Sequence, residues 1–87
     1  MLDDKKKYMA LIRLNRVLGQ VEGIKRMTQE GRYCIDILHQ IAAARSALMG
    51  LGRFILDDHM RTCVKSSLKR SGGDKEIKEL IDVFEKL

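Results

Sequence analysis

From Tyr33 to Arg70 the chain runs for roughly 38 residues without a proline while apolar side chains recur on a helical period. Ile41, Leu48 and Ile55 follow one another every seven residues in phase with Cys34, and Leu38, Arg45, Gly52 and His59 form the companion set. At about 1.5 Å per residue this helix spans roughly 57 Å, whereas the helix that can follow it reaches only about 20 Å. A lone three-helix bundle would leave much of the middle stripe facing water, and exposed apolar surface of that kind marks an interface. Pairing the first two helices of each chain with those of a second copy satisfies the lengths and gives an antiparallel four-helix bundle. The AAARSA run supplies small side chains for close helix approach. Gly50 and Gly52 cost about 1 kcal/mol each as helix residues and allow a kink.

The remaining elements follow from local signals. Asp3 or Asp4 can cap a first helix that runs to about Glu30, with Leu11, Leu14, Leu18 and Val21 at the three–four spacing of a buried stripe, continued by Ile24 and Met27. Gly31 suits a left-handed stop. Ser71-Gly72-Gly73 is the one clear linker, after which Asp74 is expected to cap a short helix whose Ile77, Leu80, Ile81 and Phe84 face inward. The expectation is an all-α chain with helices over about 4–30, 33–70 and 74–86, forming one domain across residues 1–87.

Composition narrows the class. The 87 residues contain no proline and no tryptophan, and 33% are charged. No run approaches the roughly 18 apolar residues of a membrane span, and the charged opening MLDDKKKYM lacks the apolar core of a signal peptide. A cytoplasmic protein is expected, in which two cysteines serve as thiols, metal ligands or redox sensors before a structural disulfide. Net charge is +5. Residues 1–32 hold eight Lys/Arg against four Asp/Glu, residues 33–73 six against three, and residues 74–87 three against five. A basic body with an acidic tail suits a polyanion, nucleic acid before membrane, since no aromatic-rich amphipathic anchor is present; a solvated helical surface is the plainer alternative. No residue set pairs a nucleophile with an oriented base and an oxyanion donor, so an enzyme is not expected.

Cys34, His59 and Cys63 carry the most specific chemistry. His59 and Cys63 form an H-x-x-x-C step whose donors sit side by side on one helical face. Cys34, on the same stripe to within roughly 20°, lies about 38 Å away along a continuous helix. An antiparallel copy of the helix would bring Cys34 of one chain to His59 and Cys63 of the other, with the two-fold axis near Ala47 and Leu48 and two identical sites. Two thiolates and one imidazole are a soft, low-coordinate set; structural zinc normally takes four protein ligands, so Cu(I) fits best. At the head of a helix, Cys34 also sits where the dipole favours an anion. The competing reading is that both cysteines are small buried hydrophobes and His59 a packed residue. His39 lies roughly 140° around from Cys34 and is not expected to ligate. Met9, Met27, Met49 and Met60 read as core or interface filler.

The segments LNRVLGQVEGIKRM and GRYCIDILHQIAAARSAL, with DDHMRTCV supplying the downstream ligand pair, resemble the signature stretches of the copper-sensitive operon repressor family across essentially the whole chain. The resemblance implies an all-helical dimer of dimers without a helix-turn-helix, whose apo form binds double-stranded operator DNA and represses copper-export genes until Cu(I) weakens the complex. It implies Cys34, His59 and Cys63 as metal ligands, the cysteine from one protomer and the pair from its neighbour, and a copper chaperone as the expected metal donor. Tyr33 and Glu79 match positions that hydrogen-bond to the ligand histidine ring. Nickel/cobalt relatives use a histidine near the N-terminus, which MLDDKKKYMA lacks; formaldehyde relatives lack the second cysteine; persulfide sensors lose the histidine. Copper is therefore the expected effector.

In this reading Lys5, Lys6, Lys7, Arg13, Arg16 and Arg53 face DNA, with Arg13 and Arg16 in or beside the first signature. Two rivals remain. A thiol sensor would join Cys34 and Cys63 of different chains under oxidant or sulfide and would not need His59. A metal-storing or structural bundle would form no sequence-specific DNA complex.

Overall fold

The computed structural model describes residues 2–64 and 73–86, with Cys63 and Val64 described by their backbone alone. Three α-helices follow in order, α1 (Asp4–Gln29), α2 (Cys34–His59) and α3 (Asp74–Lys86), and α2 continues into a π-helical stretch, Met60–Val64. There is no strand among the described residues.

Of the two candidate caps for α1, Asp3 serves: its carboxylate accepts the Lys6 backbone N–H at 2.8 Å. The far end closes as the sequence suggests. Gly31 takes φ 67°, the Gly31 N–H donates to the Thr28 carbonyl at 3.1 Å, and the Arg32 N–H donates to Met27 at 3.0 Å. That bond pair is a Schellman stop, in which a residue without a Cβ takes up the left-handed turn.

α2 opens without a side-chain cap. The Tyr33 carbonyl receives the Asp36 and Ile37 N–H groups, and Asp36 places a negative charge in the first turn. The helix runs through Gly50 and Gly52 without a break. Its α-geometry ends at His59, earlier than the expected limit near residue 70. The Thr62 hydroxyl donates to the Asp58 carbonyl at 2.8 Å, the acceptor that a continuing α-ladder would assign to the Thr62 N–H. The ladder widens there into π geometry, a feature that gathers at functional positions. Residues 65–70 of the expected helix, and Ser71 and Gly72 of the linker, lie outside the described residues.

α3 starts one residue differently from expectation. The Gly73 carbonyl accepts the Ile77 N–H at 2.9 Å, and Gly73 has φ 73°, so Asp74 is the first helical residue and not the cap. There it complements the helix dipole together with Glu76.

Packing departs from expectation in one consequential respect. α1 meets α2 through Ala10 and Val17 against Ala44 and Leu51, all buried, with Ile24 half-buried. These residues recur every seven positions on each helix, and the small side chains of Ala10 and Ala44 permit close approach. The larger stripe of α1, expected to be buried, stays open: Leu11, Leu14, Leu18 and Val21 are all exposed, as are Leu38, Ile41, Leu48 and Ile55 of α2. α3 behaves likewise, with Ile77, Ile81 and Phe84 exposed although expected to face inward. The reason is geometric: the chain measures 55 × 28 × 13 Å, about one helix thick. A single layer has no second layer to cover its apolar faces.

Candidate metal centre

The three sequence-selected ligands occupy the two ends of α2. Cys34 is its first residue and is exposed; His59 is its last residue and half-buried; Cys63 follows on the π-helical stretch. Twenty-five helical steps hold Cys34 and His59 roughly 38 Å apart. Among the described residues of one chain, no three His, Cys, Asp or Glu side chains come close enough to hold a metal ion.

The His59 end is built more fully than spacing alone revealed. α3 lies along the end of α2 and leaves a cleft of about 310 Å³, lined mostly by apolar side chains including Ile55, Leu56, Leu80 and Val83. His59 and Glu79 both line it, so the tertiary fold brings the histidine and the acid to one cavity across a large sequence separation. Tyr33, the other residue matched to the ring's surroundings, caps the opposite end of α2 beside Cys34 and is 70% exposed. A thiol and a phenol thus stand at the head of α2, and an imidazole with a nearby carboxylate at its tail. Open thiol and imidazole donors fit a soft, low-coordinate cation, and an antiparallel second copy is the arrangement that would unite them.

The basic residues divide into two groups. Lys5, Lys7, Arg16 and Arg53 are exposed, as is Arg13, while Lys6 is half-buried. Lys6 and Arg13 are held against α2: Lys6 Nζ lies 3.8 Å from an Asp58 carboxylate oxygen and 5.6 Å from the centre of the Phe54 ring, and the Arg13 guanidinium lies 5.0 Å from the same ring. Arg53 shares a shallow groove on α2 with Arg45, Ser46 and Met49. Asp58 and Phe54 were not singled out in the sequence, and Arg45 entered only as a member of the seven-residue companion set. The seven-residue series Ala44, Leu51, Asp58 was the available signal, since it sets an acid on an otherwise apolar row. No helix among the described residues is long and apolar enough to cross a membrane.

Comparison with known proteins agrees with this architecture. The family model described as metal-sensitive transcriptional repressor matches residues 4–86. The chain is 43% identical over 82 residues to the copper-sensing transcriptional repressor CsoR of Bacillus subtilis, covering 94% of this chain and 81% of that protein. Its fold is similar to that of the Cu(I)-bound copper-sensing repressor CsoR from Geobacillus thermodenitrificans, with a TM-score of 0.92 and 35% identity over 99% of this chain and 90% of the other. The nickel-responsive transcriptional regulator InrS is also similar, at a TM-score of 0.75 and 37% identity over 91% of this chain and 89% of the other. With the match running almost from end to end, this chain belongs to the metal-sensitive transcriptional repressor family.

Proposed function

We propose that the protein is a cytoplasmic Cu(I)-responsive repressor: a single-domain chain that binds operator DNA as a metal-free homotetramer and lets go when copper is captured between subunits. The observation that carries this reading is the placement of Cys34 at the head of α2 and of His59 at its tail, on a helix whose exposed stripe includes Ile41, Leu48 and Ile55. Burying a Leu or Ile stabilises by about 1.5–3 kcal/mol, so a self-complementary stripe gives antiparallel pairing a strong driving force. The two-fold axis then passes near Ala47 and Leu48, and two such dimers complete the tetramer. The similarity to a Cu(I)-bound repressor supports copper as the effector.

Bound Cu(I) would supply a soft acceptor for two thiolates and one imidazole. Cys34 of one copy would meet His59 and Cys63 of another, joining the head of one α2 to the tail of its neighbour. Tyr33 accompanies Cys34 to that junction, and Glu79 already shares the cleft of His59, so both stand where they can orient its ring. Glu79 belongs to α3, so a hydrogen bond between it and the His59 ring would couple the metal site to the third helix. Lys5, Lys6, Lys7, Arg13, Arg16 and Arg53 provide the cations for DNA phosphates, and a copper chaperone would deliver the metal. Regulation requires that the low-affinity conformation bind copper better, with a coupling typically of about 1–3 kcal/mol, and that operator DNA weaken copper binding equally.

The thiol-sensing alternative makes His59 dispensable, whereas His59 and Glu79 lining one cleft argues for a ring with a task. A mobility-shift titration with Cu(I) on wild type and His59→Ala separates the two. Copper should release DNA from wild type alone; unchanged operator affinity of wild type on copper addition would overturn the copper reading.

A further inference from the structure

Asp58 is the buried charged side chain of the described residues, at 5% exposure. It sits on the α1-facing row of α2, following Ala44 and Leu51, and points its carboxylate to Lys6 Nζ at 3.8 Å. One turn earlier on α2, the Phe54 ring takes the ammonium of Lys6 at 5.6 Å and the guanidinium of Arg13 at 5.0 Å. Arg13 also runs along the α2 backbone, where a Cβ placed at Gly50 would lie 4.0 Å from Nη1. Two cations of α1 are thus gripped by the last turns of α2, one by charge and ring face, the other by ring face. The grip on Lys6 is not optional, because a buried carboxylate stripped of its cation is strongly unfavourable.

Asp58 is also the residue immediately before His59. Its carbonyl accepts the Thr62 hydroxyl at 2.8 Å, within the π-helical stretch that separates His59 from Cys63. A change in the path of that stretch on ligand capture would therefore shift the Asp58 backbone, and with it the carboxylate that faces Lys6. We infer that Asp58 is a positioning residue that carries metal capture at His59 to the cationic first turns of α1, with Phe54 as a second hold on Lys6 and Arg13. This rests on the proposed reading of His59 as a ligand and of α1 as the DNA-facing helix. It adds a direct route from the ligand pair to the cations, separate from the passage through Glu79 and α3.

The test uses the full-length protein and a labelled duplex enriched from a random-sequence library by the apo wild type. Anisotropy titrations with and without Cu(I) give the factor by which copper weakens DNA binding, and hydrogen exchange over residues 4–13 without DNA reports the response of α1. Wild type is expected to show a factor within about 5–150 and a copper-dependent change in exchange. Asp58→Asn should still take up one Cu(I) per chain, yet its factor should fall below about 5 and its exchange response should vanish; Lys6→Arg, which keeps the pair, should retain both. If Asp58→Asn does not fold, Lys6→Met/Asp58→Leu replaces the pair with apolar side chains, a change that buried ion pairs often tolerate, and is read by its copper-dependent exchange response alone, because it also removes a DNA-facing cation. Variants that bind copper and show the wild-type factor and exchange response overturn this inference alone. A wild type indifferent to copper overturns the sensor reading itself.

Discussion

Cys34 and His59 are the first and last residues of one unbroken 26-residue helix, so the thiol and imidazole assigned to one metal are held as far apart as α2 allows. The separation of roughly 38 Å follows from the helical rise and cannot close without breaking the helix. A site made from them belongs to two chains.

That geometry predicts complementation between inactive variants. Cys34→Ser and His59→Ala should each lose tight Cu(I) binding. Mixed and refolded together, they should regain one site of the two in each heterodimer, which takes its thiol from the His59→Ala chain and its His59 and Cys63 from the Cys34→Ser chain. Anaerobic Cu(I) titration against a competing chelator measures the recovery; none at all would place the site within a single chain.

Leu48 is 52% exposed in the single chain and lies beside the proposed two-fold axis. Leu48→Glu sets two carboxylates close together across that axis and removes about 1.5–3 kcal/mol of burial per chain. Sedimentation velocity should show the assembly shifting towards single chains, with copper uptake lost alongside. An unchanged mass would mean that this stripe is not the interface.

Gly31 closes α1 at φ 67° with nothing within 4 Å of where a Cβ would go. The penalty for Gly31→Ala is therefore one of backbone conformation alone, about 1–2 kcal/mol, and Gly31→Asn should lose less. Urea denaturation at matched protein concentration reads both, since unfolding of an oligomer depends on concentration.

Arg13 and Arg16 are both exposed but differ in their surroundings: Arg13 lies over the Phe54 ring. If each touches one phosphate, Arg13→Ala and Arg16→Ala should each reduce the slope of log affinity against log salt by about 1 per contact removed. Arg13→Ala should also loosen the contact between α1 and α2, seen as a lower melting temperature that Arg16→Ala does not share. Equal salt slopes in wild type and both variants would take these residues out of the DNA surface.

Part of the candidate site was legible from local pattern alone. The helical phase of Cys34 and His59 follows from their spacing, and the structure places them at the first and last positions of α2. The start of α1 and its stop at Gly31 were equally readable, because caps and left-handed turns are decided by a few neighbouring residues. Asp58 was not. On an apolar row an acid is legible only once the opposing cation is known, and Lys6 lies about fifty positions away in the chain.

By itself the sequence determined the three helices, the stop of α1 at Gly31, and the proline-free run that holds Cys34 and His59 on one helix, because each depends on a rotation of about 100° per residue and on a few neighbouring residues. Only the tertiary structure decided which apolar row α1 and α2 show each other. Ala10, Val17, Ala44 and Leu51 pack within the chain, while Leu14, Leu18, Leu48 and Ile55 are left on the open side. Periodicity tells that a face is apolar and not what will cover it: Ala10 and Ala44 let α1 and α2 approach closely along one row, and a single layer leaves the other row open.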